Sequence, residues 1–239
     1  MYSSTEQFLL SELGLSSFIP SAESVAVKNF SQSFGTSGRL DAEYYQPKYE
    51  DVLAIVSNSK TDLLSNLVTI KKSIEPGSSE YTDEGIPFVR VSDISKFGIT
   101  SPEIHISRIP FANMGLQPAE DTILFTKDGT VGIAYKTEKD TDIITSGAIL
   151  HLTIKDTIGL LPDYLTLVLN SMIVQMQAER DTGGSVIIHW RPSDISNVVV
   201  PILEMSKQDK LAEMVQKSFA LLICLQASMS AFPASPRSV

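Results

Sequence analysis

The sequence has one cysteine, Cys224, and three histidines, His105, His151 and His189, among 239 residues. One thiol excludes an intramolecular disulfide and any cysteine-rich zinc site, and three scattered imidazoles leave little for a histidine metal centre. Basic residues are also few: 19 Lys and Arg against 28 Asp and Glu give a formal net charge of −9. Such a chain has no whole-surface attraction for nucleic acid, although a local basic surface is compatible with that total. No apolar run exceeds the seven residues Phe219–Leu225, far below the ~20 that span a bilayer as a helix. The opening MYSSTEQFLL has no basic residue ahead of its apolar stretch, unlike a signal peptide. The expectation is a soluble, cytoplasmic protein with no membrane segment.

Catalytic motifs are missing as well. The sequence contains no glycine-rich phosphate loop, no G-x-S-x-G elbow and no H-E-x-x-H. Asn197 is followed by Val-Val-Val-Pro, which is not the Asn-Pro-Pro-aromatic set of amino-methyltransferases. Paired carboxylates such as Asp83/Glu84 and Glu120/Asp121 fall on turn-rich stretches and read as solvated loop charges. His151 and His105 alternate with apolar neighbours and read as structural residues in strands. No catalytic residue, metal site or cofactor is expected.

What is present is enough for a folded core. Hydrophobic residues make up 43% and charged residues 20%, a balance that argues against disorder. The length suits one domain with an appendage. Acidity concentrates in residues 61–200, with 11 basic and 18 acidic side chains, while 201–239 carry 4 and 3.

Patterning divides the chain in three. Residues 1–60 form a helical lead-in with a Ser/Gly-rich loop, SQSFGTSG. Asp41 can cap a helix over 41–60 on which Tyr45, Tyr49, Val52 and Val56 recur, and Pro47 marks a break from which that helix can start. From 61 to about 160 short β-branched runs alternate with turns: VTIKKSI, IPFVRVSDI, EIHISRI, DTILFT, VGIAYK and IITSGAILHLTI. Asp128-Gly129 between two of these runs signals a hairpin whose tight turn needs positive φ at both positions. Pro162 opens a helix, PDYLTLVLNSMIVQMQAER, with Leu165, Val168, Leu169, Met172 and Met176 on one stripe. After Gly183-Gly184 come VIIHW, a turn of helix at RPSDIS and the strand NVVVPIL.

The last element, 206–232, is a helix ended by Pro233 and Pro236. Leu211, Val215, Leu222, Leu225, Met229 and Phe232 fit a near-heptad seam, with Ser218 at its weak position. The fold class is therefore α+β. A mixed or antiparallel sheet with flanking helices occupies 61–202, and one long coiled-coil-like helix lies within 203–239. The seam predicts packing against another helix, with folding back onto the sheet as the alternative.

Four stretches in order resemble the specificity subunit of type I restriction-modification systems. They are GRLDAEYYQPKYEDVLAIV (38–56), GIPFVRVSDIS (85–95), DTILFTKDGTVGIAY (121–135) and TGGSVIIHWRPSDISNVVVPILEMSKQDKLAEMVQKS (182–218). No single stretch is specific; their order and spacing carry the resemblance. It implies a non-catalytic subunit that reads double-stranded DNA through a target-recognition domain, here 61–202. Methyltransferase and restriction subunits would then supply S-adenosylmethionine, ATP and Mg chemistry. The family's full subunit has two such domains separated by two long helices. One domain and one helix here imply a half-subunit that pairs with a second copy through the seam, antiparallel, to read a split site. The seam could equally dock the methyltransferase. After Ser218 the helix is poorer in charge than the family's.

A DNA reader needs phosphate contacts to position it and base-edge contacts to specify sequence. Arg90, Ser92 and Lys96 around VSDI are candidates, unless Arg90 and Lys96 only pair with Asp93. Lys127 and Thr130 are expected on a hairpin tip that enters a groove, or else on a solvated turn. Ser185, His189 and Arg191 follow the Gly pair, with Trp190 either beside them or in the core. Lys71 and Lys72 are candidate phosphate contacts. Two rival readings are a protein-docking module that does not bind DNA and a stand-alone nuclease, the latter lacking any Asp…Glu-x-Lys constellation.

Overall fold

A computed structural model describes residues 2–184 and 188–230; for Ile223 and residues 226–230 it describes the backbone alone. The central sheet has four strands in the order Val68–Lys72, Ile149–Ile154, Ile123–Thr126 and Ala134–Lys136, all antiparallel. A second four-stranded sheet pairs Ile144–Thr145 parallel to Ile86–Val89, which pairs antiparallel with His105–Ile106 and then Tyr81–Thr82. Two short two-stranded ribbons complete the strands among the described residues: Thr61–Leu63 with Val199–Pro201, and Ile94–Ser95 with Gly98–Ile99. The expected mixed α+β architecture is present, and each of the six strand-like runs from VTIKKSI to IITSGAILHLTI contains a strand.

Gly85 explains the start of GIPFVRV. Its φ is +143°, and a Cβ there would lie 2.2 Å from the Ile106 carbonyl oxygen. Only glycine lets the Ile86–Val89 strand meet its neighbour at that point.

One large core joins all three segments drawn from the sequence. Leu9, Leu13, Leu15, Tyr49 and Val52 from the lead-in pack with Ile123, Phe125, Leu150 and Leu152 of the sheet and with Leu211 and Val215 of the long helix. The helix at 47–56 starts at Pro47, so the proline sets its first turn. Asp41 does not cap it; a 3-10 turn, Ala42–Tyr45, intervenes, and Asp41 instead pairs with Arg39 at 2.5 Å. The single helix expected after Pro162 is two, Pro162–Asn170 and Met172–Thr182, broken at Ser171. The first is buried on all sides from Tyr164 to Leu169, so a one-sided stripe understated its burial.

The long helix runs Met205–Ser230. Its pairing corrects the seam expectation at two residues. Leu211 is fully buried and Val215 nearly so, both within the chain's own core. It packs against two helices of its own chain, Pro162–Asn170 and the N-terminal helix Tyr2–Glu12, the latter antiparallel to it. Glu12 meets Lys207 at 2.6 Å, Lys210 lies 4.2 Å over the Phe8 ring, and Tyr2 meets Phe219 at 6.2 Å. Gln208 is buried at the base, where its amide accepts from Leu161 N–H and donates to the Gly159 and Leu203 carbonyls. Leu222 is half-buried and Leu225 is 60% exposed. The side chain of Met229, and Phe232 altogether, lie outside the described residues. No helix among the described residues is long and apolar enough to cross a membrane.

Candidate nucleic-acid interface

The central sheet gathers several candidates at one end. Lys72 is the last residue of its strand and faces Leu150, while Thr126 is the last of its strand and faces Ile149. The chain beyond Thr126 therefore leaves from the same end as Lys72. Lys127 N–H donates to Ala148 O at 2.9 Å and Ser146 N–H donates to Val89 O at 2.8 Å, so the 146–148 turn links the Lys127 loop to Arg90.

The hairpin at Asp128-Gly129 exists, but its geometry is not the expected one. The strands Ile123–Thr126 and Ala134–Lys136 pair in register, and seven residues, 127–133, connect them. Gly129 has φ +68° whereas Asp128 has no positive φ. The reason is a second chain segment. Asp128 bridges His189, Gly129 N–H donates to Ile188 O at 3.0 Å, and Trp190 N–H donates to Lys127 O at 2.7 Å. This ladder spreads the turn and fastens it to the segment after Gly184.

That arrangement relocates Lys127. It is not at an exposed tip: its side chain is 5% exposed and its ammonium pairs with Asp128. The other Asp128 oxygen pairs with His189 Nδ1. Thr130 is exposed, His189 is half-exposed, and Arg191 is 60% exposed while paired with Asp194 at 2.8 Å. Trp190 belongs to the core, fully buried with its ring 5.7 Å from that of Phe125 and its Nε1–H donating to Asp181 at 3.1 Å. Ser185 lies outside the described residues.

The VSDI candidates separate. Asp93 folds the 3-10 turn Val91–Asp93 on itself by accepting from Arg90 N–H and Ser92 Oγ, both at 2.9 Å. The Arg90 guanidinium stands 3.5 Å from the same carboxylate. Lys96 turns instead to the N-terminal helix, 4.7 Å over the Tyr2 ring and 5.4 Å over Phe97. Lys71 is exposed but hydrogen-bonds the Gly115 carbonyl. Lys72 is exposed. His151, on the strand beside them, is a structural histidine. It hydrogen-bonds Thr145 Oγ1 at 2.8 Å, and burial, assisted by the Lys71 charge, pushes its pKa down to about 4.

The pattern reading missed two features. One is Asp128, whose carboxylate joins Lys127 to His189; a Lys-Asp-Gly run gives no hint of a partner 61 residues away. The other is the support under the Gly183 segment. Arg39 donates to the Asp181 carbonyl at 2.7 Å, and Arg39 and Arg180 approach the Tyr44 ring at 4.5 and 5.1 Å. The R-L-D-A-E-Y-Y run holds both Arg39 and Tyr44, and its arginine is the signal that could have pointed there. No cluster of metal-binding side chains occurs among the described residues.

No curated protein sequence matches the chain. Among solved structures, one described as the basis of complex assembly and conformational transition of the type I R-M system is 16% identical, with a TM-score of 0.54. It covers 96% of this chain and 48% of its own. The S subunit of the M. genitalium type I system (16% identity, TM-score 0.49) covers 65% of this chain and 37% of its own. The HsdS subunit of Thermoanaerobacter tengcongensis (17%, 0.49) covers 75% and 47%. The chain thus spans half or less of the length of these relatives. The sequence model for the type I restriction modification DNA specificity domain matches residues 58–227. With more than half of its length so matched, the chain belongs to that family.

Proposed function

We propose that this chain reads double-stranded DNA for a type I restriction-modification assembly, as a non-catalytic half-subunit that directs methyltransferase and restriction partners to one half of a split site. The observation that carries the reading is the DNA specificity domain match over 58–227. The loop cluster at one end of the central sheet suits it. There Lys72, Thr130, His189 and Arg191 stand exposed or half-exposed on a braced support. Arg191 and Lys72 supply phosphate contacts, and the half-exposed His189 is placed to meet base edges. S-adenosylmethionine, ATP and Mg belong to the partners in this reading, and the assembly works in the cytoplasm.

The long helix takes a reduced part in assembly. Leu211 and Val215 are committed to the chain's own core, so docking falls to the outer half of the helix. There Leu222 and Leu225 lie near Phe97, Phe219 and Leu221. That face receives the methyltransferase subunit or a second copy.

The test is retention of duplex DNA by the full chain, alone and with its methyltransferase, over a range of salt. Falling affinity with rising salt, and host DNA methylation at a site that disappears when the locus is deleted, supports the reading. Salt-insensitive absence of DNA binding, with the chain still bound to a protein partner, overturns it in favour of a docking module.

A further inference from the structure

The ring of His189 is mounted more firmly than an exposed side chain needs to be. Its backbone is pinned on both sides, by Gly129 N–H to Ile188 O at 3.0 Å and by Trp190 N–H to Lys127 O at 2.7 Å. The buried Trp190 anchors the residue that follows it. The ring itself is tied through Nδ1 to Asp128, whose other oxygen takes the Lys127 ammonium. His189 nevertheless remains 53% exposed, and its Nε2 has no partner among the described residues.

We propose that Asp128 is a positioning residue. It fixes the His189 ring so that Nε2 presents a hydrogen-bond acceptor to the exocyclic amine of an adenine or cytosine in the major groove. The inference rests on the DNA-reading role proposed above. Its chemistry is short. An ionised carboxylate only accepts, so the proton on the shared hydrogen bond sits on Nδ1. In the neutral ring, which has one N–H, the Nε2 lone pair is free, so the duplex selection is run at about pH 8, above the ordinary imidazole range. An acceptor in the major groove can pair only with a donor, and the donors there are adenine N6 and cytosine N4. Guanine and thymine present acceptors to the same atom and are refused. A ring without Asp128 could offer either nitrogen and would lose that discrimination. Lys127 is part of the device: with its side chain 5% exposed it is no phosphate contact, and it holds the carboxylate from the other side.

The experiment uses the full chain, parent and variants, with a pool of duplexes carrying a randomised stretch and sequencing of the bound fraction. The ring nitrogens of His189 are followed in parallel by 15N NMR at about pH 8, above the ordinary imidazole range. The parent is expected to show the Nδ1–H tautomer and to enrich adenine or cytosine at one position. Asp128→Ala and His189→Ala are both expected to flatten that position by tenfold or more. Asp128→Asn combined with Lys127→Met, in which no ammonium competes for the amide oxygen that accepts from Nδ1, is expected to retain it. If Asp128→Ala does not fold, Asp128→Ala combined with Lys127→Met removes the stranded ammonium and is read the same way. Parent-like nitrogen shifts in the Asp128→Ala ring overturn the inference, as does an unchanged base preference in both alanine variants. If the parent enriches no sequence at all, the DNA-reading role falls, and this inference with it.

Discussion

The Glu12 carboxylate lies 2.6 Å from the Lys207 ammonium, tying the last residue of the N-terminal helix to the start of the long helix. The contact is consistent with their antiparallel polarity, and its energy is small. Lys207 is 44% exposed, and exposed pairs contribute about 0–1 kcal/mol. The stabilisation comes from the apolar residues beside it, Leu9, Leu13, Leu211 and Val215, all buried. Lys207→Ala is therefore expected to cost under about 1 kcal/mol, and Leu211→Ala about 2–5 kcal/mol. Urea unfolding followed by the emission of Trp190, the sole tryptophan, measures both. Equal losses would show that the helix pair is held by charge.

The same pair shows how far the sequence could be read. The seam of the long helix was visible in its spacing, but its first half packs inside this chain and not on a second chain. The partner was not visible, because a seam records that a face is apolar and not which chain covers it. The N-terminal helix has only Thr5 and Leu9 buried, too few to announce it as the cover. The strands were legible because alternation survives in short runs such as DTILFT. The Asp128-Gly129 turn was misjudged because turn rules count neighbours in sequence, and His189 reaches it from 61 residues away. Exposure of the candidate cations was the least legible quantity. Lys127 and Arg191 look alike in the sequence, yet one is buried and the other is 60% exposed.

Gly85 provides a local test of the second sheet. Its φ of +143° disfavours any side chain, and a Cβ would collide with the Ile106 carbonyl oxygen. Gly85→Ala is expected to lower stability by roughly 2 kcal/mol or more. For a chain of this size that corresponds to a Tm lower by about 4 °C or more. Calorimetry of the two proteins decides, and an unchanged Tm would mean that the strand can shift to admit the methyl group.

His151 predicts a pH dependence with a definite sign. Burial holds its folded pKa at about 4, against about 6.5 for an unfolded histidine. Between those values the unfolded chain binds the proton and the folded chain does not, so stability rises with pH. The contribution is fully present above about pH 6.5 and is lost as the pH falls toward 4, by up to about 3 kcal/mol. Carboxylates titrate in the same window, so the comparison is with His151→Gln. The parent's advantage over that variant is expected to shrink on acidification from about pH 7 to about pH 4. A constant difference in urea midpoints across that range would place the imidazole in water.

The contrast between Arg191 and Lys127 separates contact from support. Arg191 is 60% exposed and stands two residues beyond the Asp128-paired His189, with Asp194 as its partner at 2.8 Å. An arginine that exchanges such a carboxylate for a DNA phosphate releases a counterion from the duplex. Arg191→Ala is therefore expected to leave stability within about 0.5 kcal/mol. It is also expected to weaken binding to all duplexes alike and to lower the salt slope by about 1. Lys127 cannot act that way from a side chain 5% exposed. Removing its ammonium leaves the Asp128 carboxylate with His189 as its remaining partner and loosens the loop that carries His189. Lys127→Ala is expected to cost roughly 2–4 kcal/mol of stability, with the salt slope unchanged in the fraction that remains folded. Filter binding from low to moderate salt, together with urea unfolding of each variant, gives four numbers. If Lys127→Ala lowers the slope at full stability, its side chain leaves the core to meet DNA, and the braced loop is not the support assigned to it. If Arg191→Ala leaves the slope at the parent value, the phosphate contact lies elsewhere on this end of the sheet, and Lys72, exposed at the end of its strand, is the next residue to change.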